Sequence, residues 1–203
     1  MTGIVLAGGK SSRMGFNKAF IEIGDRRLID ATVDRLARLF PEVLIIANNL
    51  DLYGYLGMRV IPDLIPNSGS LGGIYTGLTA AAHPRAFFVA CDMPFLSADL
   101  ITLLVREAEN WDVVVPRVAG ELQPMHAVYA KSCLPFIKEA IDVGKLKITG
   151  FFDEVRVLRI PEETVARFAP PDLAFMNLNT PDDLARARVL WDERAAAPGG
   201  TRG

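Results

Sequence analysis

Cysteine is scarce in this 203-residue chain: Cys91 and Cys133 are the only two, and they stand far apart without CxxC spacing. That pattern argues against a disulfide framework or a cysteine-held metal cluster and suits a reducing compartment. Long apolar runs are missing too, as is a basic segment leading into a long apolar one ahead of the first strand-like residues. Neither a spanning helix nor a secretory leader is expected, so the protein is expected in the cytoplasm without a membrane partner. Nor is there a surplus of charge. With 22 Lys and Arg against 24 Asp and Glu, the net charge is -2, which gives no general surface for a polyanion and excludes nucleic acid as an expected partner. Internal repeats and long linkers are also absent, and half of the residues are apolar. A chain of this size and composition can bury one core and is expected to form one domain.

What is present is an alternation of short apolar runs with helical patterns. Residues 3–7 are a strand ended by glycines, and residues 28–39 repeat apolar side chains at helical spacing before Pro41. The continuous runs at 43–47, 58–61, 86–90 and 112–116 are expected as strands covered on both faces. Helices are expected between them at 72–82 and 97–109, the second with Ser97 as N-cap. This reads as α/β with a mostly parallel sheet. Beyond Pro116 the pattern loosens: 123–130 alternates poorly, and 131–143 is an amphipathic helix stopped by Gly144. Residues 155–160 form an alternating, half-exposed strand. Residues 174–177 are expected as a short strand feeding a helix over 181–191, with Thr180 as its cap, Pro181 at its first position and Asp182 and Asp183 in its first turn. The second half therefore predicts a smaller lobe folded on the first. The Gly-rich tail 194–203 is expected to be disordered.

Directly behind the first strand comes LAGGKSSRMGFNK, residues 6–18, with three glycines and the cations Lys10, Arg13 and Lys18. Open α/β sheets bind ligands at the carboxyl ends of their strands, which is where this loop starts. Glycines let backbone N–H groups approach phosphate oxygens while the cations neutralise them, so a nucleoside triphosphate suits the loop. Two common phosphate motifs fail on spacing. A P-loop needs glycine six residues before its lysine, where Ile4 stands, and Gly8, Gly9 and Gly15 do not make G-x-G-x-x-G.

The loop resembles the signature of the nucleotidyltransferases with a Rossmann-like fold, and most closely that of the molybdenum cofactor guanylyltransferase family. Further matches follow in order: Asp63 before Gly69-Ser70-Leu71-Gly72-Gly73, then Cys91-Asp92-Met93-Pro94, then Asn177-Leu178-Asn179-Thr180-Pro181. Four separated motifs in one order, over roughly residues 3–191, are far more specific than any one of them. The resemblance implies a Rossmann-like three-layer sandwich with a smaller acceptor-binding lobe. Residues 1–193 are then one nucleotidyltransferase domain, with a nucleotide half over about 1–116 and an acceptor half over about 117–193.

It also implies a set of roles. Leu6, Ala7, Gly8 and Gly9 would lie beside base and phosphates, Lys18 and Arg13 on the phosphates, and Asp63 at the nucleoside end, where its carboxylate can accept from guanine or ribose. Asn48 is preferred over Asn49 as a further nucleotide contact. Residues 69–73 are expected as a glycine loop, in which Ser70 stands where the family often has proline and should loosen the loop without removing its glycines. Asp92, at the end of its strand, would hold Mg2+, an ion content with one carboxylate when phosphate oxygens and water complete its shell. Asn177 and Asn179 are possible metal support. Gln123 and Pro124, aligned with a family segment that often carries His-Pro, and Lys147 are possible acceptor contacts, whereas His126 on its apolar run reads as structural.

The reaction so implied is transfer of GMP from GTP to the terminal phosphate of molybdopterin or molybdenum cofactor, with recipient molybdoenzymes or their chaperones as possible further partners. A cytidylyltransferase, a sugar or polyol-phosphate nucleotidyltransferase, and a non-catalytic GTP-binding escort for the cofactor stay open as alternatives.

Overall fold

In the computed structural model, which describes residues 1–8 and 18–196, the chain begins with β1 (Thr2–Leu6), buried along its whole length. After the undescribed segment come the small hairpin β2 (Glu22–Ile23) and β3 (Arg26–Arg27), helix α1 (Leu28–Leu39), β4 (Glu42–Ile46), β5 (Arg59–Ile61), α2 (Gly69–Ala80) and β6 (Arg85–Ala90). Next are α3 (Ala98–Glu107), β7 (Val113–Val118), β8 (Glu121–Leu122), β9 (His126–Ala130), α4 (Leu134–Asp142), β10 (Val157–Ile160), the short α5 (Glu162–Val165) and α6 (Pro171–Ala174), and α7 (Pro181–Ala196).

One sheet runs in the order β10-β7-β9-β6-β1-β4-β5, with β8 paired to β7. On one side of it β6, β1, β4 and β5 are all parallel. On the other, β9 runs antiparallel to both β6 and β7, while β10 returns parallel to β7. The continuous apolar runs follow from cover on both faces. Val5, Val43, Ile45 and Val89 pack in one cluster with residues of α1 and α3, and Ile4, Leu6, Leu44, Ile46 and Phe88 pack in another with residues of α2 and α4. These are the three layers expected. Residues 126–130 fail to alternate for the same reason, being buried throughout.

Helix α2 lies unusually close to the sheet because of its glycines. A Cβ at Gly77 would come 2.7 Å from the Phe88 ring and 2.9 Å from Ile4 Cδ1, and one at Gly73 would come 3.0 Å from Leu6 Cδ2. Ser97 caps α3 as expected, accepting from the Leu100 amide at 3.2 Å. Gly144, at φ +72°, follows α4 in the left-handed conformation that ends helices.

Four expectations need correction. Residues 69–73 are not a loop but the first turns of α2, so the glycines serve close packing more than loop flexibility. Residues 174–177 form no strand. Pro171 starts the short α6, and Phe175 and Met176 are buried as loop residues, so core burial, not pairing, explains that apolar run. Residues 131–133 are a 3-10 turn ahead of α4. Helix α7 continues through Ala196, since residues 192–196 are mostly good helix formers; residues 194–196 are thus helical, and the rest of the expected tail lies outside the described residues.

Candidate functional site

The carboxyl ends of β1, β4, β5 and β6 share one rim, and the chain leaving each is tied to its neighbour by a backbone bond. Ala7 N donates to Ile46 O at 3.0 Å, Ala47 N to Ile61 O at 3.0 Å, and Cys91 N to Leu6 O at 3.2 Å. Four short exits are thereby held in fixed relation to one another. Leu6 and Ala7 are buried, and Gly8 is exposed beside the exits of β4 and β5.

At one end of this rim Asn48 and Asp63 grip each other. Asn48 Nδ2 donates to Asp63 Oδ2 at 2.8 Å, and the Asp63 amide returns a bond to Asn48 Oδ1 at 2.9 Å. The pair fixes the Asp63 carboxylate between two glycines. A Cβ at Gly8 would lie 3.9 Å from Asp63 Oδ2, and one at Gly73 would lie 3.9 Å from Oδ1. A side chain in either place would stand in van der Waals contact with that carboxylate. Asn48, preferred over Asn49, is the one brought to Asp63.

At the other end Lys18 stands between two oxygens from distant parts of the chain. Its Nζ donates to Asp92 Oδ2 at 3.2 Å and to Asn179 Oδ1 at 2.6 Å. Lys18 is positioned by the single turn Lys18–Phe20, with Ala19 buried beneath it and Phe20 stacked on Tyr53 at 5.4 Å. The Tyr53 hydroxyl in turn reaches Ala7 O at 3.2 Å, so Lys18 is tied back to the exit of β1. Asp92 follows β6 and is anchored by buried Met93 and by Leu178 N donating to its carbonyl at 3.0 Å. Asn179 is set by the start of α7. Thr180 Oγ1 accepts from Asp183 N at 3.1 Å, while Asp183 Oδ2 accepts from the amides of Asn179 and Thr180 at 3.0 and 2.8 Å. This reciprocal cap holds the Asp183 carboxyl below its ordinary pKa, chiefly through the Thr180 contacts.

Lys18 and Asp92 are both only about one-fifth exposed, 20% and 18%, so their attraction is less screened than that of a surface pair. The adjoining Cys91 thiol is pushed up to about 12, by burial first and the Asp92 charge second. Cys91 is therefore a neutral thiol and no nucleophile. Among the described residues no three His, Cys, Asp or Glu side chains gather as a metal cage. A metal here would have to be held by Asp92 with help from Asn179 and a ligand's own oxygens.

Among the described residues no bond brings Asn177 into this group: its Nδ2 donates to Phe175 O within its own turn at 3.1 Å. Gln123 and Pro124 lie in the turn before β9, which Ala90 N ties to the end of β6 by donating to Met125 O at 3.1 Å. That turn is thus beside the exit carrying Asp92. Lys147 is exposed after α4, with no bond to the rim among the described residues. Gly9 and Arg13 lie outside the described residues. His126 is buried between the rings of Phe87 and Phe175, 5.0 and 5.2 Å away, and burial pushes its imidazole down to about 3. It is a neutral core residue, as expected. What sequence reasoning passed over is the role of Asp183 in fixing Asn179; the T-x-x-D spacing at 180–183 carried that signal.

Glycine, a lysine, a carboxylate and an amide oxygen gathered on the rim of a largely parallel sheet are what nucleotide-handling α/β proteins as a class place there. A family model described as the MobA-like NTP transferase domain matches residues 3–156. A probable molybdenum cofactor guanylyltransferase of Pelotomaculum thermopropionicum is 43% identical over 190 residues, covering 93% of this chain and 92% of its own. The molybdenum cofactor guanylyltransferase of Desulfosudis oleivorans is 38% identical over 194 residues, covering 93% and 95%. The crystal structure of molybdopterin-guanine dinucleotide biosynthesis protein A from Archaeoglobus fulgidus superposes with a TM-score of 0.83 at 27% identity, covering 95% of this chain and all of that one. The chain belongs to the MobA-like NTP transferases and, within them, to the molybdenum cofactor guanylyltransferase family.

Proposed function

We propose that this protein transfers GMP from GTP to the terminal phosphate of molybdopterin, with or without molybdenum bound, and releases pyrophosphate. A phosphate oxygen of the acceptor attacks the α-phosphorus, a new P–O–P linkage forms, and the bond from that phosphorus to the β-phosphate oxygen breaks. The nucleophile is already ionised, so no general base is needed and the residues have only to position and neutralise. The observation that carries this reading is the meeting of Lys18 with Asp92 and Asn179, residues far apart in sequence, on a rim that also holds Gly8 beside Asp63.

Each group then has a task. Lys18, released from Asp92 and Asn179 when a ligand enters, would pair with phosphate oxygens, and Arg13 would add charge from the loop. Asp63, steadied by Asn48, would accept from guanine's N1–H and amino group or from the ribose. Gln123 and Pro124, next to the Asp92 exit, would meet the acceptor, with Lys147 nearer its far end. Two oxygens already surround one cationic centre at Lys18 Nζ, and a carboxylate with a neutral carbonyl fits Mg2+ when phosphates and water complete the shell. Bound there, the ion would supply charge neutralisation at the transferred phosphoryl group. A cytoplasmic setting and delivery to molybdoenzymes or their chaperones belong to the same proposal.

The test is incubation with molybdopterin, magnesium and either GTP or CTP, followed by mass analysis of the dinucleotide and measurement of pyrophosphate. Guanine dinucleotide with equimolar pyrophosphate is expected. Product from CTP alone would move the base preference, and binding of GTP with no pyrophosphate would turn the protein into an escort.

A further inference from the structure

On the face of the sheet carrying α1 and α3 lies a cavity of about 300 Å³, between α1, residues 93–99, α6 and α7. None of Lys18, Asp92, Asn179, Asn48 or Asp63 lines it. Its size is at the lower end for small-molecule sites. Its walls combine two chemistries: apolar surface including Phe95 and Trp191, whose rings lie 6.1 Å apart, and four guanidinium groups, from Arg26, Arg27, Arg35 and Arg194. Against these, Asp99 is the one carboxylate in the lining among the described residues.

The four arginines are not alike. Arg26 is paired with Asp34, and Arg27 stands 3.8 Å from Glu22 and lies over the Phe20 ring. Arg194 lies over the Phe95 ring at 6.0 Å. Arg35 is half-buried with no acidic partner within ion-pair distance among the described residues. Burial lowers its pKa, and the neighbouring charges of Arg38 and Arg194 lower it further. A solvated surface arginine would turn to water. One held among cations and apolar walls costs stability unless something with negative charge offsets it.

We propose that this cavity binds a small amphipathic oxyanion: one carboxylate or phosphate group paired with Arg35 and Arg194, carried on an aromatic or aliphatic body that packs against Phe95 and Trp191. Guanidinium suits either group through its paired N–H donors, and the apolar wall explains why a bare inorganic ion would bind poorly. Such a ligand would be held apart from the rim and could be present together with a nucleotide.

Calorimetric titration of the full chain with 1-naphthoate, 1-naphthyl phosphate, neutral 1-naphthol and inorganic phosphate tests this. At least one of the two aromatic anions should bind one-to-one, at least about tenfold tighter than naphthol and than inorganic phosphate, and saturating GTP should not displace it. The tighter of the two anions tells whether the natural group is carboxylate or phosphate. Arg35→Gln should bring that anion down to the affinity of naphthol while the melting temperature without ligand stays level or rises, as relief of crowded charge requires. Ala31→Met, which fills the cavity from α1, should weaken naphthol and the anions together and serves if Arg35→Gln does not fold. Absence of saturable anion binding, displacement by GTP, or wild-type affinity in the folded variants would overturn the proposal.

Discussion

The two halves of the sheet differ in direction, and the difference decides how each contributes to the rim. In β6-β1-β4-β5 every strand is parallel, so each presents its carboxyl end to the same edge and one polar residue on a short exit suffices. Asp92, Gly8, Asn48 and Asp63 are four such exits. In β9-β7-β10 the direction reverses at β9, so the rim there receives a turn entering a strand, carrying Gln123 and Pro124, together with the β7–β8 hairpin. A parallel half sets single residues side by side on the rim, whereas a mixed half sets turns there. That division suits a site in which a common nucleotide is held on one side and a particular acceptor on the other.

The sharpest way to break this comparison is on the parallel side. Asp92→Ala should keep the fold and lower turnover by about a thousandfold or more, measured as pyrophosphate release with GTP and molybdopterin. Near-normal turnover would remove Asp92 from the chemistry. Lys18→Ala should cost roughly a hundredfold, because charge at the phosphates is lost while the carboxylate stays. Next in size is the helix that backs the rim: Gly77→Val forces side-chain atoms into Phe88 and Ile4 and should destabilise by about 1–3 kcal/mol, seen as a fall in melting temperature. Asn48→Ala should raise the KM for GTP by about tenfold with less effect on kcat, since it loosens Asp63 without touching the phosphates. On the mixed side Gln123→Ala should raise only the acceptor's KM, by a few-fold; an equal effect on GTP would erase the distinction between the halves.

The smallest effect lies at the foot of the mixed half. Asp112 accepts from the backbone and side chain of Arg156 at 3.0 and 3.1 Å and from Ser132 at 2.7 Å, and the Arg156 contact, first among these, draws its pKa to about 2. With the folded value depressed, its contribution is fully present above the unfolded carboxyl's value near ~4 and is lost as pH falls towards 2. Asp112→Asn should therefore lower the melting temperature modestly at pH 7 and flatten the acid limb of its profile, the difference from the unsubstituted protein closing as pH falls towards 2.

Which parts of this were legible in the sequence follows from the same physics. Strands buried on both faces write themselves as unbroken apolar runs, so β1, β4, β6 and β7 could be placed within a residue or two, and Asp92 stood out as the acid at the end of one such run, whereas Asp63 was implied by the family resemblance. The mixed half hides more. The run at 174–177 is apolar because Phe175 and Met176 are buried in a loop, a case that composition cannot tell from a strand. The choice between Asn177 and Asn179 turns on which one the Thr180–Asp183 cap holds toward Lys18, a matter of a single turn's geometry. Glycines at 69–73 carry the same letters whether they loosen a loop or let a helix lie against a sheet.

A crystal structure with GTP and a divalent metal bound tests the central claim most directly. The triphosphate should lie over Gly8 with Lys18 swung from Asp92 onto its oxygens, the metal on Asp92, and the nucleoside against Asp63. Nucleotide density away from that rim, or a metal with no contact to Asp92, would contradict it.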